Sequence, residues 1–128
     1  MNISNSELDV LKVLWEESPL SAKTIVARLE KTHDWHEKTI RTLLNRLIKK
    51  GALHYQKEGR AFLYSPAIHK DSYQQKASTT FINRLFSGRI SPLVAGFAKS
   101  NQLQQDDIDE LKQLIDGWES KQQSDEHE

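Results

Sequence analysis

The sequence predicts a mainly α chain in two parts, with three short helices and a β-hairpin at the N-terminal end and further helices behind them. Three observations carry this. Apolar residues return at helical spacing in punctuated runs before Gly51. Branched and aromatic residues then dominate two short stretches around the Gly of Lys57 to Arg60. Helical periodicity resumes from Asp71.

The first helix is expected from about Asn5 to Glu17. Ser4 and Glu7 have the S-x-x-E form of a capping box, and Leu8, Leu11, Leu14 and Trp15 follow at helical spacing. Ser18 and Pro19 break it. Ser21 offers a side-chain oxygen to cap a second helix with Ile25, Val26 and Leu29 on its inner face. Thr32 to Asp34 end that helix. A third is expected from about His36 to Lys50, where Gly51 can take the left-handed conformation that closes helices. Leu53 to Gln56 and Ala61 to Ser65 read as strands joined at Lys57 to Arg60. Three helices followed by a hairpin make a winged helix-turn-helix, expected over residues 1–70.

Beyond it, Tyr73, Ala77, Phe81 and Leu85 recur four apart, with Ile82 and Phe86 widening the stripe. Leu93 to Phe97 form a short apolar segment, and Ile108, Leu111, Ile115 and Trp118 form the last stripe. Short one-faced helices have too little mutual surface to bury their stripes alone, so residues 71–120 are expected to form a helical dimerisation domain. Residues 121–128, polar and charged, are expected to be a disordered tail.

Composition narrows the function. With 128 residues and no Cys, the chain has room for one or two small domains, and no disulfide framework, thiolate nucleophile or Cys-ligated metal. It opens without a basic, apolar leader, and no run approaches the ~20 apolar residues that cross a bilayer; a soluble, unexported, cytoplasmic protein without a membrane partner is the expectation. The zero net charge divides unevenly. Residues 1–70 carry 12 Lys/Arg against 8 Asp/Glu, whereas residues 71–128 carry 6 against 10. The first part suits a polyanion.

On a helical wheel of the third helix, Ile40, Leu43, Leu44, Leu47 and Ile48 gather on one side. Lys38, Thr42, Asn45, Arg46 and Lys49 gather on the other, with Thr39 and Arg41 on the flanks. Arg and Lys suit guanine, Asn suits adenine, and Thr suits a phosphate or a thymine methyl. Lys38, Thr39, Arg41, Thr42 and Asn45 are therefore assigned to bases, and Arg46, Lys49 and Lys50 mainly to phosphates, because the N-terminal end of such a helix reaches bases most easily. Lys57 and Arg60 flank the wing tip and suit backbone or minor groove. A polar helix face is by itself ordinary solvation. Against that stand the shortage of acids (Glu37 is the sole one from His36 to Lys50), the short helix before it and the basic hairpin after it.

Trp15, the run Trp35 to Leu47 with its W-x-x-K-T-I-x-T-L-L-x-R-L pattern, Lys49-Lys50-Gly51 and Gly59 to Pro66 resemble the BlaI/MecI/CopY family of penicillinase and methicillin-resistance repressors over nearly the whole chain. The resemblance implies a winged helix, a three-helix dimerisation domain and repression at inverted repeats with TACA/TGTA cores. It implies Lys38, Thr39, Thr42 and Arg46 as DNA contacts. The cysteine-rich tail of copper-responsive members is absent, which excludes sensing by thiolates. Antibiotic-responsive members are cleaved at an Asn-Phe bond in the middle helix of the dimerisation domain. Here Gly96 stands in place of the Asn, so Gly96-Phe97 is the candidate bond for a regulatory protease.

The partners expected are thus an operator duplex and a second copy of the chain, with no cofactor. Other arrangements are weaker. His33, Asp34 and His36 could outline a metal site, but capping and surface roles suit them better; His54, His69 and His127 are scattered. Trp15, Trp35 and Trp118 read as core anchors, and Tyr55 and Tyr64 as wing packing. No nucleophile elbow, phosphate-cradling Gly loop or H-E-x-x-H is present, and an enzyme is not expected. Two alternatives stay open at this level: a winged helix used only to bind proteins, and an activator of the same fold.

Overall fold

In the computed structural model, which describes residues 2–126 and side chains up to residue 122, the chain divides into two compact units, Met1–Ala77 and Ser78–Glu128. The sequence placed this boundary at residue 70. It falls later because the helix opening the second part begins in the first unit, where it packs through Tyr73.

Helix α1 (Asn5–Glu16) starts at the expected capping box: the Glu7 amide donates to Ser4 Oγ at 3.1 Å, and the Ser4 amide donates to Glu7 Oε1 at 3.0 Å. Helix α2 (Ala22–Glu30) is capped by Ser21, which accepts from the Thr24 amide at 3.2 Å. Helix α3 (Glu37–Lys49) is capped by His36, whose Nδ1 accepts from the Lys38 amide at 3.0 Å. Its C-terminal end turns at Gly51, with φ of 80°, a left-handed value that glycine takes at little cost.

Strand β1 (Leu20–Ser21) was not anticipated, since two residues carry no alternation. It pairs with β3 (Ala61–Pro66), which pairs in turn with β2 (Leu53–Glu58), giving an antiparallel sheet of order β1-β3-β2. Tyr55 faces Tyr64 across the β2–β3 ladder, and Glu58 faces Ala61. The wing is therefore longer than expected. Its loop is reduced to Gly59 and Arg60, with Gly59 at φ of 64°.

The core of this unit gathers Val10, Leu11 and Leu14 from α1, Ile25, Val26 and Leu29 from α2, and Ile40, Leu43, Leu44 and Leu47 from α3, closed by Leu20, Ala52 and Leu53. All are buried. The effect is to fix α3 by its apolar side and leave the opposite side in water. Trp15 anchors as expected, its indole N–H donating to the Ile68 carbonyl at 3.0 Å. Tyr55 and Tyr64 also pack on the wing, and Tyr55 meets Phe62 edge to face at 5.2 Å.

Helix α4 (Lys70–Phe86) runs from the first unit into the second, which adds α5 (Ser91–Lys99) and α6 (Gln105–Glu126). The expected disordered tail is corrected here: α6 continues through Glu126, and residues 127 and 128 lie outside the described residues. Ile82, Phe86, Leu93, Val94, Leu103, Ile108 and Leu111 are only half-buried, and none of the described side chains of this unit is fully buried. Phe81, Leu85, Ile90, Phe97, Leu114, Ile115 and Trp118 are exposed. Trp118 is thus no core anchor of the single chain.

Candidate nucleic-acid interface

The solvent side of α3 carries Lys38, Thr39, Arg41, Thr42, Asn45, Arg46 and Lys49, all exposed. Lys38, Thr42, Asn45, Arg46 and Lys49 lie opposite the buried Ile40, Leu43, Leu44 and Leu47, with Thr39 and Arg41 on the flanks, so the wheel read from the sequence is the orientation that packing selects. The surface is a cationic stripe with short polar side chains between the charges. That mixture supplies donors for phosphate oxygens and for guanine O6 and N7.

Two members of the stripe have partners within the helix, one through a hydrogen bond and one through an ion pair. Thr42 Oγ1 donates to the Lys38 carbonyl at 2.9 Å, which commits the hydroxyl proton to the helix itself. Arg41 Nη2 lies 3.5 Å from Glu37 Oε1, one helical turn earlier. For Lys38, Arg46 and Lys49, no carboxylate lies within 4.0 Å among the described residues. Their charges face water. The i, i+4 spacing of Glu37 and Arg41 is the sequence signal for this pair.

Lys50 does not belong with them. Its Nζ donates to Glu7 Oε1 at 2.6 Å and to the Asn2 carbonyl at 2.7 Å, so the phosphate role expected from the sequence gives way to an ion pair that clamps α3 to α1. Burial would raise the Glu7 pKa. The Lys50 hydrogen bond, the Ser4 amide and hydroxyl, and the Lys50 charge outweigh it and hold the carboxyl below its ordinary value. Residues 43 positions apart offered no local signal.

Lys57 and Arg60 sit at the end of the wing, both exposed, with Arg60 in the two-residue loop. His33 is drawn to Asp9 at 3.2 Å and lies against the Trp35 ring at 4.1 Å between centroids, while His36 is occupied as a cap. Among the described residues no group of three or more metal-ligating side chains forms. No described helix is long and apolar enough to cross a membrane.

In the second unit, Phe81, Leu85, Ile115 and Trp118 are 47%, 61%, 54% and 62% exposed. Leu93, Ile108 and Leu111 are half-buried there. Tyr73 and Ala77, which the sequence assigned to the same stripe, fall in the first unit, where Tyr73 is half-buried with its ring 5.8 Å from that of Trp15 and Ala77 is exposed. Gly96 and Phe97 lie within α5, with Phe97 exposed. Nothing crowds Gly96: a Cβ added there would meet no atom within 4 Å.

A family model for the penicillinase repressor matches residues 3–117. The chain belongs to the penicillinase repressor family. It is 42% identical over 114 residues to the penicillinase repressor of Bacillus licheniformis, covering 89% of each chain. It is 34% identical over 113 residues to the methicillin resistance regulatory protein MecI of Staphylococcus aureus, covering 88% of this chain and 92% of that one. Among solved structures it resembles the monomeric form of Bacillus licheniformis BlaI in complex with the blaP half-operator. There the TM-score is 0.52 and the identity 48%, over 57% of this chain and 89% of that one. For this penicillinase repressor family member, as the sequence led one to expect, the fold of the first unit is a winged helix-turn-helix.

Proposed function

We propose that this family member is a transcriptional repressor that binds, as a homodimer, an inverted-repeat operator with TACA/TGTA cores. Each α3 would enter a major groove and each wing would lie along the backbone. The observation that carries this reading is the side of α3 bearing Lys38, Thr39, Arg41, Thr42, Asn45, Arg46 and Lys49: it is exposed while the opposite side is locked in the core. The BlaI structure that the first unit resembles was solved in complex with a half-operator, which supports the same partner here.

Pairing of two chains is supported by the apolar residues that the second unit leaves in water, since burying a large apolar side chain is worth about 1.5–3 kcal/mol. Two reading heads on a two-fold axis require half-sites related by the same symmetry, at about 34 Å per helical turn. Such a protein acts where the chromosome is, in the cytoplasm, and works by occupancy rather than by catalysis. Release by a regulatory protease at Gly96-Phe97 is supported by the exposure of Phe97 and by a mid-helix Gly, which weakens a helix by up to about 1 kcal/mol relative to Ala.

The test is titration of the purified chain onto a duplex carrying the inverted repeat, a scrambled duplex of equal length and a single half-site. Preference for the repeat with two chains bound per duplex is the expected result. Equal affinity for the repeat and its scramble at every salt concentration would refute it.

A further inference from the structure

Of the cations on the exposed side of α3, Arg41 alone is paired among the described residues, and its partner is the sole acid of the helix. Glu37 occupies the first turn, where the helix N-terminus favours a negative charge. Arg41 follows one turn later, the order in which an acidic residue and a base four apart attract best. As a matter of stability the pair is nearly neutral: both side chains are about half exposed, and such pairs contribute little in water. A carboxylate on a surface that must approach phosphates is, however, a repulsive element. It needs a compensating role.

The guanidinium supplies that role. It has five N–H donors in a rigid fork, of which bidentate recognition of guanine O6 and N7 uses two. A third can stay turned toward the Glu37 carboxylate, 3.5 Å away as an ion pair, while the fork faces a base. A free Arg side chain, by contrast, can swing to any nearby phosphate and then carries no sequence information. Resting on the repressor reading given above, we propose that Glu37 is a positioning residue: it holds Arg41 toward one guanine of each half-site and keeps it off the phosphate backbone. Specificity then comes from a repulsive as well as an attractive element. Lys38 and Arg46, without a carboxylate partner among the described residues, remain able to contact phosphates or bases without this constraint.

The experiment compares wild type, Glu37→Gln, Arg41→Ala and the double variant. Each is titrated onto the selected operator, onto operators with each guanine of a half-site changed to adenine, and onto random duplex. Thermal melting confirms that all four fold. Glu37→Gln is expected to bind random duplex severalfold tighter and to lose about tenfold of its preference for guanine at a single position. In the Arg41→Ala background the same change should shift that preference less than twofold. Two results overturn the proposal: an unchanged preference in Glu37→Gln, or an equal loss with and without Arg41, which would be a plain charge effect. If wild type itself prefers no operator over random duplex, the repressor reading fails and this inference falls with it; that outcome is distinguishable because it requires no variant.

Discussion

Lys50 Nζ lies 2.6 Å from Glu7 Oε1, so the C-cap of α3 is fastened to the first turn of α1. Glu7 is 2% exposed, and its other oxygen, Oε2, is buried without a partner among the described residues. Lys50 keeps part of its side chain in water, which lessens the strength of the pair. Lys50→Met should lower stability by about 2 kcal/mol, since the buried carboxylate loses its one charged partner among the described residues. It should leave the salt dependence of DNA binding unchanged, because Lys50 is committed to the fold. Urea unfolding and duplex titration check the two halves.

The same carboxyl sets a pH dependence. The folded state holds Glu7 below its ordinary value near 4.5, so its contribution is fully present above that value and is lost as pH falls through the lower, folded-state pKa. Urea midpoints of wild type should therefore fall more steeply than those of Glu7→Gln as pH drops below about 4.5. Parallel curves would remove Glu7 from the account.

Thr42 donates its hydroxyl proton to the Lys38 carbonyl, which leaves the methyl group and acceptor lone pairs as what the exposed side chain can offer a base. The side chain should then recognise a thymine methyl. Thr42→Val, which keeps that methyl, should bind the operator within about twofold of wild type. Thr42→Ser should bind about fourfold more weakly, the equivalent of one buried methylene at ~0.8 kcal/mol. Replacing the thymine by deoxyuridine should weaken wild type by the same factor and Thr42→Ser no further.

Arg46 has no carboxylate partner among the described residues and sits in the last turn of α3, farther from the end that reaches bases. Arg46→Ala should weaken specific and random duplexes alike and reduce the slope of log K against log salt by about 0.9 per protomer, the value for one phosphate contact. A loss confined to the operator would instead make Arg46 a base-reading residue.

Helix α3 was legible in the sequence because one pattern answers both its packing and the function proposed for it. Ile40, Leu43, Leu44 and Leu47 had to face the core, and that choice fixed where Lys38, Thr42, Asn45 and Arg46 point. Capping was legible too, since Ser4, Ser21 and the residue before Glu37 act through neighbours three or fewer positions away. What escaped depends on long-range contacts. Lys50 looked like its neighbour Lys49 until Glu7 came near it, and β1 exists because Leu63 and Tyr64 offer it an edge. Tyr73 shared the spacing of the second unit's stripe, yet Trp15 claims it. Polar composition misled at the C-terminal end, where α6 continues past Ser120.

Ile115 and Trp118 are more than half exposed on α6 and should lie in the interface between two copies. Trp118→Ala with Ile115→Ala should raise the dimer dissociation constant by at least tenfold, given about 1.5–3 kcal/mol for each fully buried side chain. The helical content should stay as in wild type. Sedimentation equilibrium reads the first and circular dichroism the second.

The most direct test of the DNA-reading surface is to follow backbone amide resonances while a palindromic duplex is added. Shifts concentrated from Glu37 to Lys49 and at Gly59 and Arg60, with the second unit little changed, are what the account predicts. Shifts that spare the helix after Trp35 and gather elsewhere in the chain would contradict it.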